Sequence, residues 1–182
     1  MSVIDSSQLL ATGDEGYQIS RSVRLRSSAS AYLNRTPTTP TNNKKWTYSC
    51  WFKRGEFGSG NGYTFINAGT GSSASEDYLS FIASTGAAMD SIMFAQANSS
   101  TTYIYTTQKF RDPSAWYHLV FVYDSANATA ANRAMLYING VQVTAFSATT
   151  YPPLNQSSQI NSAVLHRIGC RTYGIDGLFD GY

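Results

Sequence analysis

Charge is scarce in this chain: 13% of its 182 residues are Asp, Glu, Lys or Arg, and the formal net charge is +2. Nucleic-acid binding would leave a basic footprint, and none is present. The densest basic stretch, Arg21 to Arg26, alternates with apolar residues as a solvated strand does. Low charge also argues against disorder, which relies on repulsion and hydration. Cysteine is limited to Cys50 and Cys170, too few for a disulfide framework. Two buried free thiols are the expectation, with a single bridge the arithmetic alternative. No apolar run reaches the length of a membrane span, and the N-terminus carries no basic segment of a secretory signal.

Catalytic residue types are thin as well. The glutamates are Glu15, Glu56 and Glu76, and the histidines His118 and His166. Neither histidine sits in an H-x-x-x-H pattern, so hydrogen-bonded strand positions are expected for both. Glycosidic cleavage needs two carboxylates about 5–10 Å apart across a cleft. Glu76 and Asp77 are adjacent, so a strand would aim them to opposite faces. A non-enzymatic protein is expected.

What the chain does contain is neutral polarity and aromatic bulk. Ser, Thr and Asn total 53 residues, and 14% of the chain is Phe, Trp or Tyr. That mixture suits strands with one solvated face and disfavours a helical bundle. Short strands are predicted at 31–35, 45–53, 63–68, 78–83, 91–95, 101–107, 117–123, 134–138 and 163–168. In the second, Trp46, Tyr48, Cys50 and Phe52 share a face; Trp51 breaks the alternation and predicts cover on both sides. Asn139-Gly140, between Leu136-Tyr137-Ile138 and Val141-Gln142-Val143, is the strongest hairpin signal. Helical periodicity is confined to Ser125–Ala131, enough for about one turn. The expected architecture is an all-β antiparallel sandwich over residues 19–182, which the resemblance given below makes a two-sheet jelly roll. Residues 1–18 read as an extended N-terminal arm that docks on the domain or on a neighbouring chain.

Four stretches resemble one family. Lys45-Trp46-Thr47-Tyr48-Ser49-Cys50-Trp51-Phe52-Lys53-Arg54-Gly55, Trp116-Tyr117-His118-Leu119-Val120, the Leu136–Val143 hairpin and Leu178-Phe179-Asp180-Gly181-Tyr182 are similar to laminin-G-like, concanavalin-A-type jelly rolls. Their order and spacing agree over about residues 22–182. Arg24–Leu33 most resembles the version in bacteriophage fibre and head-decoration proteins. The resemblance implies a virion location, attachment to other virion proteins through residues 1–18, and a homo-oligomer. It also implies a last strand that usually runs on, so that Tyr182 falls in its opening residues and a longer protein is expected. The glucanase motif E-x-D-x-x-E of related folds is absent.

Two kinds of ligand follow. Surface glycan would stack on aromatic faces, for which Tyr103 and Tyr105 on one strand face, and Tyr173 with Asp176 in a glycine-flanked loop, are the candidates. Calcium, which related jelly rolls hold at loop rims, needs several converging oxygens. Asp77, Asp124, Asp176 and Asp180, with Asn139 as a neutral donor, supply them, and Asp176 and Asp77 are the foremost metal candidates.

Overall fold

The computed structural model describes residues 21–57, 63–82, 88–96 and 102–182. The expected arm over residues 1–18, Glu15, and the glycine-rich stretch 58–62 lie outside them. Among the described residues eleven strands are formed: β1 (Leu33–Arg35), β2 (Lys45–Phe52), β3 (Thr64–Gly69), β4 (Glu76–Phe81), β5 (Ile92–Gln96), β6 (Thr102–Thr106), β7 (Tyr117–Asp124), β8 (Ala134–Ile138), β9 (Val141–Gln142), β10 (Phe146–Thr150) and β11 (Leu165–Ile168). They pair antiparallel in two sheets, β1-β11-β3-β4-β5-β6-β10 and β2-β7-β8-β9. The all-β antiparallel sandwich is thus as expected. The helical turn lies at Ala130–Asn132, as a 3-10 turn of three residues.

Alternation decides which side chains fill the space between the sheets. From the smaller sheet come Trp46 and Phe52 of β2, Leu119, Phe121 and Tyr123 of β7, and Ala134, Leu136 and Ile138 of β8, all buried. Phe81, Ile92, Phe94 and Ile104 answer from the larger sheet. The core is aromatic at both ends. Trp46 stacks on Tyr123 at 5.2 Å between centroids, and Phe94 meets Phe121 at 4.5 Å. At the other end Phe52 contacts Phe65 at 4.9 Å and Phe81 at 5.6 Å. Such pairs contribute about 0.5–1.5 kcal/mol each beyond the area they bury.

The Asn139-Gly140 signal is realised. Both residues have positive φ, 52° and 80°, the requirement of the tight I′ hairpin that joins β8 to β9. Cys50 and Cys170 are free thiols. Both histidines are hydrogen-bonded at strand positions: His118 Nε2 lies 3.0 Å from Ser49 Oγ, and His166 Nε2 accepts the Asn161 N–H at 2.9 Å.

One expectation needs correction. Trp51 is not covered on its outer face: it is 50% exposed, and its indole lies flat on the His118 ring at 5.0 Å. It breaks the apolar alternation because a cross-strand ring pair holds it on the surface. β10 lies outside the predicted segments; in this edge strand half-buried Phe146, Ala148 and Thr150 alternate with exposed Ser147 and Thr149. Its pairing to β6 comes from register alone, with Thr150 opposite Tyr103 and Phe146 opposite Thr106.

β3 is buried along its whole length, and its neighbour β4 at every position but Tyr78. Its inner face meets the core. Its outer face is roofed by the loop that follows β11, and this roof creates the candidate site.

Candidate functional site

The larger sheet presents to the outside a row of residues set by register. Reading across the strands, Asn34, Arg167, Asn67, Tyr78, Ala95, Tyr103 and Thr150 stand opposite one another in turn. The next row carries Ser80, Met93, Tyr105 and Ala148. Opposed residues point to the same face, so Tyr78, Tyr103 and Tyr105 belong to one surface. Tyr103 and Tyr105 are half-buried and their rings meet at 5.5 Å, tilted by 39°.

The roof is the segment from Gly169 to Gly177. It turns off β11 at Gly169, whose φ of 83° favours glycine and where a Cβ would strike the Leu25 side chain. Three anchors then pin it over the sheet. Arg171 forms an ion pair with the fully buried carboxylate of Glu76, and its guanidinium sits 4.7 Å above the Tyr78 ring. The Thr172 N–H donates to Asn67 Oδ1 at 2.6 Å. Arg167 reaches up from β11 to donate to the carbonyls of Arg171 at 2.6 Å and Gly174 at 2.8 Å. Tyr173, at the tip, is 55% exposed. Tyr78 stands between the roof and the β6 tyrosines, two strand spacings or about 10 Å from Tyr103.

The structure therefore places Tyr103, Tyr105, Tyr173 and Asp176 on one side of the molecule, the pair on β6 and the other two on the roof. Asp176 accepts the Arg171 N–H with its backbone carbonyl at 3.0 Å, while its enclosed Oδ1 has no hydrogen-bond partner among the described residues.

Asp77 is not with them. It faces inward from β4, 1% exposed, and Oδ2 accepts from Gln96 Nε2 at 2.9 Å, Ser158 Oγ at 2.7 Å and the Gln159 N–H at 2.8 Å. Burial raises its carboxyl above the ordinary range, against the pull of these three bonds. It ties β4 to β5 and to the segment before β11, and the sheet itself separates it from Asp176. Among the described residues no three His, Cys, Asp or Glu side chains gather as a metal site.

Sequence reasoning missed Tyr78, Arg171, Asn67 and Glu76. The predicted strand began at Tyr78, so no position relative to Tyr103 followed, and Glu76 is 95 residues from the arginine that pairs with it. No local signal marks such a contact.

A family comparison matches residues 27–182 to the concanavalin A-like lectin/glucanases superfamily, in its laminin G form. The chain belongs to this family. A comparison with curated proteins gave no match. Among solved structures, the chain is similar to a Ruminococcus gnavus sialidase CBM40 bound to α2,6 sialyllactose, with a TM-score of 0.56 at 12% identity, covering 84% of this chain and 87% of that one. The same domain bound to α2,3 sialyllactose gives 0.53 at 12% identity, with the same coverage. A native heptameric SAP-like pentraxin from Limulus polyphemus gives 0.52 at 16% identity over 82% of this chain. The chain spans 65% of the pentraxin's length.

Proposed function

We propose that this chain is a non-enzymatic glycan-binding module that takes its ligand on the outer face of the seven-stranded sheet, against Tyr103 and Tyr105 and beside the roof carrying Tyr173 and Asp176. The half-buried tyrosine pair carries the reading: two adjacent rings, fixed by strand register, offer apolar faces to sugar C–H surfaces and hydroxyls to sugar oxygens. The similarity to a CBM40 that holds sialyllactose supports it. Catalysis is disfavoured by the carboxylates themselves. Glu76 is locked to Arg171 and Asp77 points to the other side of the sheet, so the two cannot flank one glycosidic bond.

The test is a glycan array that includes sialylated sugars, read with calcium and with chelator. Binding is expected, with the Tyr103→Ala/Tyr105→Ala variant weakened at least tenfold, about 1.4 kcal/mol, at little cost in Tm. Silence across the array, or full binding by the double variant, overturns the reading. Calcium dependence lost in Asp176→Asn would assign that carboxylate to a cation at the rim. Asp77, on the other side of the sheet, has no part in that site.

The setting we propose is a virion, as a fibre, tail or head appendage attached through residues 1–18. The likeness of Arg24–Leu33 to phage structural proteins supports it, and the pentraxin of similar fold is heptameric. Mass spectrometry of purified particles should find this chain among the virion proteins; its absence would rule the setting out.

A further inference from the structure

We propose that residues 158–164 form an acid-released strap across one end of the sandwich, with the imidazole of His166 as its latch. This goes beyond glycan binding and does not depend on it, since strap and latch lie on the inner side of the seven-stranded sheet.

The strap lies in the connection from β10 to β11 and is held from both sheets. From the larger sheet, Asp77 Oδ2 accepts the Ser158 hydroxyl at 2.7 Å and the Gln159 N–H at 2.8 Å. His166 Nε2 accepts the Asn161 N–H at 2.9 Å. The turn that leads into β2 holds the other side. There the Asn43 carbonyl accepts the Ser158 N–H at 3.0 Å. Asn161 Nδ2 donates to Thr41 Oγ1 at 3.1 Å and to the Asn42 carbonyl at 2.8 Å. Ile160, between these anchors, is 4% exposed and belongs to the core.

The two anchors on the larger sheet respond differently to a proton. A carbonyl can only accept and an N–H can only donate, so the partners fix the His166 tautomer. Nδ1, 2.8 Å from the Val164 carbonyl, carries the hydrogen, and Nε2, facing the Asn161 N–H, is bare. An added proton goes to Nε2 and turns the acceptor into a donor aimed at another donor. The bond to Asn161 is lost, and two N–H groups face each other at a half-buried position. Asp77 differs. Its Oδ1 is enclosed and has no hydrogen-bond partner among the described residues, so a proton there leaves Oδ2 able to accept. The strap therefore opens at Asn161 and stays hinged at Ser158 and Gln159.

The charges around His166 do not favour an imidazolium. Directly across from it stand Arg35 on β1 and Ala68 on β3. Next along the row, on β4, is Asp77, two strand spacings or about 10 Å away. The turn brings Lys44, and Lys45 is paired with Asp124 at 2.9 Å. Residues 158–164 contain no charged side chain. Burial holds the His166 pKa below its ordinary value, against the bond to the Val164 carbonyl, which raises it. The latch's contribution is thus complete above the ordinary imidazole pKa of about 6.5. It falls as pH drops below that point and levels off under the lowered folded value.

Amide exchange of the full 182-residue chain between about pH 7 and pH 5, corrected for the intrinsic pH dependence of exchange, tests the latch. Protection at the Asn161 amide should fall at least about threefold, within the limit of tenfold per pH unit that one proton sets. The Gln159 amide and those of β4 should keep theirs. His166→Gln, which cannot titrate, should show no such loss, and His118→Gln should behave as wild type. Unchanged protection at Asn161, or an equal loss in His166→Gln, overturns the proposal. So does an equal loss at Gln159 and across the strands, which is general unfolding. An NMR titration of the wild-type histidines needs no variant: His166 should titrate below about pH 6.5, and a value at or above it overturns the proposal.

Discussion

Replacing Asp90 by alanine is expected to lower folding stability by about 3–5 kcal/mol, read as a fall in Tm of about 10 °C. Arg54 is the reason. It is 2% exposed, its guanidinium packed between the rings of Phe81 at 4.2 Å and Phe57 at 4.3 Å. NH1 donates to Asp90 Oδ1 at 2.9 Å and to the Phe110 carbonyl at 2.8 Å. Burial pulls the Arg54 pKa down and the Asp90 carboxylate opposes it. Without that carboxylate a buried cation is left with one carbonyl and the ring faces of Phe57, Phe81 and Tyr63. Cation–π contacts of about 0.5–2 kcal/mol each do not replace a partner charge.

Part of the alanine effect is backbone. Asp90 has a φ of 66°, a left-handed conformation that Asp and Asn tolerate and alanine does not, at a cost of about 1–2 kcal/mol. Asp90→Asn separates the two, since it keeps the backbone and loses only the charge. Its pH dependence gives the sign. Burial raises the Asp90 carboxyl, but Arg111 and Arg54 outweigh it and hold the group below its ordinary value. The stabilisation is therefore complete above the ordinary carboxylate pKa of about 3.9 and is lost as pH falls through the lower folded value. The Tm gap between wild type and Asp90→Asn should narrow below about pH 4. A gap that stays constant down to pH 3 would mean the charge is not what stabilises this site.

How much of this was legible depends on the range of the interaction. Alternation along β2, β7 and β8 is local, so Trp46, Phe52, Phe121 and Leu136 can be assigned to the core by reading. The Asn139-Gly140 turn is local too. Trp51 shows where that reading stops, because its partner His118 lies across the sheet. The same limit hides the candidate site. Tyr103 and Tyr105 share a strand and could be paired from sequence, but Tyr78 joins them only through the registers of β4 with β5 and β5 with β6. Asp77 and Asp176 are both acidic residues near loops, and no local pattern says that a sheet stands between them.

Arg171→Ala tests whether the roof is a structural element of the site or a bystander. Glu76 is fully buried, and its other donor is Asn67 Nδ2 at 3.0 Å. Removing the guanidinium leaves a buried carboxylate with a single amide, for an expected loss of about 3–5 kcal/mol. A second substitution, Glu76→Gln, removes the orphaned charge. The double variant should therefore be more stable than Arg171→Ala alone, with a coupling of about 1–3 kcal/mol between the positions. Additive losses would show that the pair does not act as a unit. The functional readout differs from that of Asp90, whose side-chain bonds run to Arg54 and Arg111. Folded Asp90→Asn should keep the wild-type glycan affinity. Arg171→Ala/Glu76→Gln should not, because the roof has lost its strongest anchor to β4 while the β6 tyrosines are untouched. If the double variant folds and binds like wild type, the ligand is held by Tyr103 and Tyr105 alone, and the roof with Tyr173 and Asp176 has no part in recognition.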